Sequence, residues 1–301
     1  MSPLVKLAAF AAALAALFGL AAAAGGALDP DRDDAPRPQG MAASADEAPA
    51  AGHAGDDANG ADDGAGHGGG EVRGLAVAAD GLRLELATTT LPRGRAARLA
   101  FRIVDRDGRP VRAFDRTHER RMHVIVVRRD LHGFRHLHPR MAADGTWSTA
   151  LRLDDAGAYR VFADFSHDGA PRTLAADLHV DGPVRHRPLP ATRARSDGGD
   201  AVALAHGPLT AGRDATLRFA IDRDGAPVAL ERYLGAAGHL VALREGDLAF
   251  LHVHPAGHDD VGSDHVAFAT AFPSPGRYRL FLQYQVAGRV ETAAVTVEVA
   301  R

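Results

Sequence analysis

The chain has no cysteine, a single tryptophan (Trp147) and a single lysine (Lys6) in 301 residues. Without cysteine there are no disulfides, no iron–sulfur clusters, no blue-copper centre and no lipidated N-terminal cysteine. Any transition metal must then be held by histidine, methionine or carboxylate. Positive charge rests almost wholly on arginine, and the formal net charge is -3. No overall basic field therefore argues for a nucleic-acid partner. Catalytic signatures are also missing: there is no phosphate-binding loop, no dinucleotide fingerprint and no Ser-His-Asp arrangement. A zinc hydrolase would need a carboxylate base at its site. Glu119 and Asp164 have no acidic equivalent in the second half of the chain, so a non-catalytic protein is expected.

Long apolar runs are confined to the N-terminus. After Lys6 the stretch "LAAFAAALAALFGLAAAAGGAL" is uncharged from Leu7 to Leu28. It is long enough to cross a bilayer, which takes about 20 apolar residues. Its small residues Ala21 to Ala24 equally suit an A-x-A cleavage site. Residues 1–28 are therefore read as a hydrophobic helix serving as signal peptide or N-terminal membrane anchor. Either way the rest of the chain is exported, into the cell envelope or beyond. Residues 29–73 are rich in Ala, Gly and Asp, with almost no large apolar residue. Such a segment cannot bury enough surface to offset the entropy of ordering, and a disordered linker is expected.

The remainder is written twice. "DRDGRPV" (Asp105 to Val111) returns as "DRDGAPV" (Asp222 to Val228), and "FRHLHP" (Phe134 to Pro139) as "FLHVHP" (Phe250 to Pro255). "MHVIVVRRD" from Met122 matches "GHLVALREGD" from Gly238, and "AGAYRVFADF" from Ala156 matches "PGRYRLFLQY" from Pro275. The offset stays between 116 and 119 residues, the mark of a duplicated domain rather than a solenoid. The copies are placed at 74–181 and 200–301, joined by a Pro/Arg-rich linker at 182–199. Leu99-Phe101-Ile103 and Leu217-Phe219-Ile221 alternate at period two. Short strands of this kind recur between Gly, Pro and Asp signals. The expected fold class is all-β: two tandem immunoglobulin-like β-sandwich domains. Tyr159 in "DAGAY" and Tyr278 in "SPGRY" have the form of the tyrosine corner of such folds, a structural role.

Three histidines recur in each copy. Centring a hairpin turn on Gly246-Asp247 sets Leu243 opposite Phe250, Val241 opposite His252 and His239 opposite His254. Residues opposite one another, and those two apart on one strand, share a face. Centring the upstream turn on Asp130-Leu131 sets Val127 opposite Phe134, Ile125 opposite His136 and His123 opposite His138. The candidate metal ligands are thus His123, His136 and His138 in one site and His239, His252 and His254 in another. Neutral imidazole suits copper or zinc. Met122 is a possible soft ligand for copper, although strand alternation points it to the opposite face. The competing reading is that these histidines close an apolar face, since Ile125 and Val127 share the face of His123, and that His-Pro is a way out of a sheet. The remaining histidines, His118 among them, lack a counterpart in the other copy and are assigned to the surface.

Through "MHVIVVRRDLHGFRHLHP", "DGTWSTALRL", "YRVFADF" and "GHLVALREGDLAFLHVHP", the chain resembles exported, N-terminally anchored proteins of high-GC, actinobacterial-type bacteria. Such proteins carry labels such as secreted or heavy-metal-binding, and the resemblance runs from about Leu82 to the C-terminus. It implies tandem immunoglobulin-like domains in the envelope and a transition metal ion as ligand. Bacterial copper-handling domains of the envelope use similar small sandwiches, but their Met-rich motifs are missing here. The alternative is a metal-independent module that contacts another envelope protein.

Overall fold

In a computed structural model, residues 72–185, 187–189, 194–256 and 260–301 are described, the side chains of His252 and His254 excepted. The expected N-terminal helix and most of the expected linker lie outside them. Among the described residues no helix is long and apolar enough to cross a membrane. The described residues fall in one compact unit that holds both repeats.

The first repeat runs β1 (Ala78–Ala79), β2 (Leu82–Leu86), β3 (Thr90–Leu91), β4 (Ala96–Val104), β5 (His123–Arg128), β6 (Arg135–Leu137), β7 (Arg140–Met141), β8 (Trp147–Arg152), β9 (Gly157–His167) and β10 (Ala170–Val180). The second runs β11 (Ala194–Arg195), β12 (Ala201–His206), β13 (Asp214–Arg223), β14 (Ala226–Pro227), β15 (His239–Arg244), β16 (Phe250–Pro255), β17 (His265–Ala271), β18 (Gly276–Val286) and β19 (Arg289–Val299). No helix occurs among the described residues, and the protein is all-β, as expected.

Repeat 1 stacks the sheet β1-β2-β4-β8-β7 on the sheet β3-β10-β9-β5-β6. Alternation does the sorting: Leu99, Phe101 and Ile103 of β4 meet Val124 and Val126 of β5 and Tyr159 and Val161 of β9 in one core. In repeat 2 the corresponding strands join into one nine-stranded sheet, because β16 pairs first with β15 and then, at His254 and Pro255, with β17. Repeat 1 makes the same crossing with a break at His138-Pro139, after which β7 pairs with β8. Proline cannot donate to a ladder, and in both copies it sits where the strand changes sheets. Both tyrosine corners form: Tyr159 donates to the Asp155 carbonyl at 2.8 Å and Tyr278 to the Ser274 carbonyl at 2.9 Å.

Strands β5 and β15 are buried on both faces. Ile125 and Val127 point away from the repeat 1 core, and Val241 and Leu243 away from that of repeat 2. They meet in a third core between the repeats, with Leu131, Phe162, Leu248, Phe250 and Phe281. Phe134 stacks on Phe281 with centroids 4.1 Å apart, and Phe250 packs on Phe162 at 5.2 Å. Phe250 is the duplicate of Phe134, and Phe281 that of Phe162. A contact made in both directions between equivalent residues is the isologous pattern of a two-fold pair. The duplicated domain has dimerised with itself inside one chain.

Two stretches assigned to linkers join the fold. Arg73 bridges to Phe250, and Gly74 passes between the repeats at φ +73. A Cβ on Gly74 would lie 2.7 Å from that of Phe250 and 2.8 Å from the Phe162 ring, so only glycine fits there. Ala194–Arg195 pairs with β12, and Ser196 bridges to Ala293, so the second repeat begins before Asp200.

Candidate metal centre

The hairpin registers keep the mid-strand pairs read from the sequence, but the ladders stop short of His123–His138 and His239–His254, and His254 pairs with Ala269 of β17. Ile125 faces His136 and Val241 faces His252. The turns are longer than two residues. Arg244 N–H bonds the Ala249 carbonyl, and its own carbonyl accepts from Leu248. Leu131 and Leu248 take left-handed conformations at φ 62 and 63. Each puts a leucine side chain into the inter-repeat core. Strain of about 1–2 kcal/mol is thereby set against burial worth about 1.5–3 kcal/mol. Arg128 with Asp130, and Arg244 with Asp247, tie the two turns in the same way.

The first histidine triad assembles. Ring centroids are 5.3 Å apart for His123–His136, 5.1 Å for His123–His138 and 4.7 Å for His136–His138. His239 was expected in a separate site. Instead it stacks on His123 at 5.6 Å and lies 4.8 Å from His136. The cause is the inter-repeat packing: His123 and His239 share the strand faces of Ile125 and Val241, which are turned toward the partner repeat. His252 holds the backbone register position equivalent to His136, opposite Val241 as His136 is opposite Ile125.

The potential ligand atoms of His123, His136 and His239 all lie within 4.8 Å of one another. His123 and His239 are buried. Hydrogen-bond partners favour one tautomer of each ring. His123 Nε2 lies 3.2 Å from the Thr117 carbonyl, which only accepts, so Nε2 carries the proton. His136 Nδ1 lies 2.6 Å from Gln283 Oε1, with the amide oriented so that its NH₂ donates to Thr292. Nδ1 is then the protonated nitrogen of His136. The two remaining nitrogens, His123 Nδ1 and His136 Nε2, lie 3.1 Å apart. Two nitrogens bound to zinc at about 2.0–2.1 Å lie about 3.3 Å apart at a tetrahedral angle and about 2.9 Å apart at a right angle. The observed separation falls between these values. Outer hydrogen bonds that hold imidazoles in this way are the usual support of a metal-bound histidine.

His138 adds a fourth ring. Its Nε2 is buried with no hydrogen-bond partner among the described residues. Burial, reinforced by the charges of His123 and Arg120, pushes its pKa down to about 4, which leaves the imidazole neutral.

Two contributors escape the sequence reading. Gln283 braces His136 from the other repeat; its equivalent in repeat 1 is Asp164, which faces His123 across β5 and β9 as Gln283 faces His239 across β15 and β18. His118, assigned to the surface, packs edge-on against His123 at 6.1 Å and His239 at 5.8 Å. It sits at φ 48 in a tight turn closed by Thr117 and Arg120, with Glu119 at φ 62. The second repeat keeps the same turn between Tyr233 and Ala236 but places buried Leu234 where the first has His118. Positive φ at two successive non-glycine residues is the only trace of this turn, and sequence pattern does not reveal it. Met122 is buried in the repeat 1 core, on the face opposite His123, as alternation requires.

No curated protein matches the chain. Among solved structures, Salmonella alpha-2-macroglobulin reacted with methylamine aligns with 77% of this chain at 13% identity and a TM-score of 0.27. The Escherichia coli adhesin FdeC aligns with 75% at 14% identity and 0.26, and the Yersinia pseudotuberculosis adhesin InvE with 72% at 12% identity and 0.21. The chain spans 15% of the alpha-2-macroglobulin, 66% of FdeC and 58% of InvE. One family model covers residues 76–182 and again 194–301, so the chain belongs to the domain-of-unknown-function family DUF8832 and carries its domain twice.

Proposed function

We propose that the protein is a non-catalytic, exported metal-binding protein of the cell envelope, which takes a transition metal ion at a histidine cluster shared by its two repeats. The observation that carries this reading is the convergence of His123, His136 and His239, whose potential ligand atoms lie within 4.8 Å of one another, with His123 Nδ1 and His136 Nε2 3.1 Å apart. This spacing suits two nitrogens bound to one cation. His239 supplies the third ligand. Three neutral imidazoles suit zinc and copper alike. The uncharged stretch Leu7–Leu28 supports export and tethering.

Calorimetric titration of the full chain with Cu²⁺ and Zn²⁺ tests the reading. One ion per chain is expected at the shared cluster, and His239→Ala, which alters only the second repeat, is expected to abolish tight binding. Absence of binding in the wild-type chain refutes the proposal. Retention of a full-strength site in His239→Ala refutes the shared cluster and restores one site per repeat.

A further inference from the structure

A second candidate site lies beside the cluster and does not depend on it. A cleft of about 540 Å³ opens between the segment leading into β5 and the start of β7. This is within the usual range of small-ligand sites, about 300–1,000 Å³. Arg116, Arg120, Arg121 and Arg140 line it, with Glu119 as the single acidic member. Among the described residues, no carboxylate pairs with any of the four arginines. Met122, Met141 and Trp147 supply an apolar floor. Trp147 is 3% exposed, and its indole N–H is buried with no hydrogen-bond partner among the described residues. Indole nitrogen only donates, so what it lacks is an acceptor.

Duplication provides the control. Arg120, Arg121 and Met122 correspond to Ala236, Ala237 and Gly238, and Arg140 corresponds to Ala256. Trp147, which pairs with Phe101, corresponds to Val266, which pairs with Phe219. The second repeat builds the same strands without these side chains, so the scaffold does not require them. Only Arg116 keeps its equivalent, Arg232.

We infer that this cleft binds a soluble organic anion with a phosphate or carboxylate head and a small apolar body. The guanidinium groups match the planar, multidentate recognition of such heads. The indole N–H donates to a further oxygen of the head, and the sulfur and aromatic surfaces take the apolar body. The overall charge of the chain is negative, so the positive lining is local to this cleft.

Trp147 is the sole tryptophan, which makes its fluorescence a direct reporter of occupancy. The full chain is stripped of metal with a chelator, desalted, and titrated with phenyl phosphate, inorganic phosphate and phenol. Phenyl phosphate is expected to give a saturable change. Inorganic phosphate is expected to bind at least about tenfold more weakly and phenol not at all. Arg121→Ala with Arg140→Ala is expected to weaken phenyl phosphate at least about tenfold without moving the melting temperature, because both side chains are on the surface. Line broadening of the phenyl phosphate phosphorus resonance provides a readout independent of fluorescence. No binding by either readout, equal affinity for inorganic phosphate, or unchanged affinity in the double variant overturns the assignment. None of these outcomes bears on metal binding, because the chain is stripped of metal beforehand.

Discussion

Gln283 offers a sharp test of the metal centre because two substitutions there should move stability and affinity in opposite senses. Its side chain is 7% exposed and accepts from His136 Nδ1 at 2.6 Å across the inter-repeat boundary. Leucine at this position removes the acceptor. His136 is then free to move its proton to Nε2 and donate to His123 Nδ1, already 3.1 Å away. One hydrogen bond worth about 1 kcal/mol is lost and a similar one gained, so the metal-free melting temperature should stay within about 2–4 °C of wild type. The lone pair needed by the metal is consumed, and affinity should fall about 10–100-fold, or about 1.4–2.7 kcal/mol. Glutamate acts in reverse. A carboxylate only accepts, cannot present an NH₂ to His136, and adds negative charge beside the cation. Gln283→Glu should therefore raise metal affinity while lowering metal-free stability, since the charge is buried without the ion. The first repeat already carries a carboxylate, Asp164, at the equivalent place. Competition against a chromophoric chelator reads affinity, and thermal melts of the metal-free chain read stability. Unchanged affinity in Gln283→Leu, or weaker binding in Gln283→Glu, would sink the tautomer argument even if metal binds.

Two further perturbations probe the frame around the site. Phe281 is 3% exposed and stacked on Phe134, so Phe281→Ala should cost about 3–5 kcal/mol. Phe134 lies two residues from His136 on β6, and the loosened interface should also weaken metal binding; urea unfolding and metal titration on one preparation check both. Asp200 is buried, receives Arg223 at 2.6 and 3.0 Å and the Tyr284 hydroxyl at 2.9 Å, and is held below the usual carboxylate range chiefly by Arg223. A depressed folded pKa gives stability that is present above the unfolded value of about 3.9 and lost as pH falls through the folded value. Asp200→Asn should cost about 2 kcal/mol at pH 7 and flatten the acid limb of a stability–pH curve; a limb as steep as wild type would assign acid unfolding to other carboxylates.

Much of the architecture was legible because duplication and period-two alternation are local signals. The 13-residue spacing from His123 to His136, repeated from His239 to His252, fixes the hairpin register whatever the turn does. The two turns differ in detail, yet both keep Ile125 on His136 and Val241 on His252. The docking of one repeat on the other was harder to see. Its trace is the run Val124–Val127 and its equivalent Leu240–Leu243, apolar without alternation, which marks strands buried on both faces. The sequence assigns His123 to the face of Ile125 and Val127, but nothing local says that this face meets the other copy. That fact alone brings His239 of the second expected cluster against His123 and His136 of the first. Arg73 closes the segment that reads as tether and Gly74 opens the first repeat, and the place of Gly74 between Phe162 and Phe250 depends on a surface that exists only after the repeats dock.

Self-association of two copies brings equivalent side chains together near the pseudo-two-fold axis, and there a single histidine per copy becomes a pair. His123 and His239 are such a pair, stacked with rings 10° from parallel. A strictly symmetric chain would present the same groups to an ion from both sides. This chain departs from symmetry at the positions around the pair: His118 against Leu234, Asp164 against Gln283, Arg120 against Ala236. Residues that the two copies share, such as Phe134 and Phe250 or Tyr159 and Tyr278, build the scaffold and the interface. Residues that differ gather on the repeat 1 side of the cluster, where His118 closes over it and the arginine cleft adjoins it. Among the described side chains, the second repeat brings His239, Gln283 and Leu234 to this region, and the first brings His118, His123, His136 and His138 with the arginine cleft beside them.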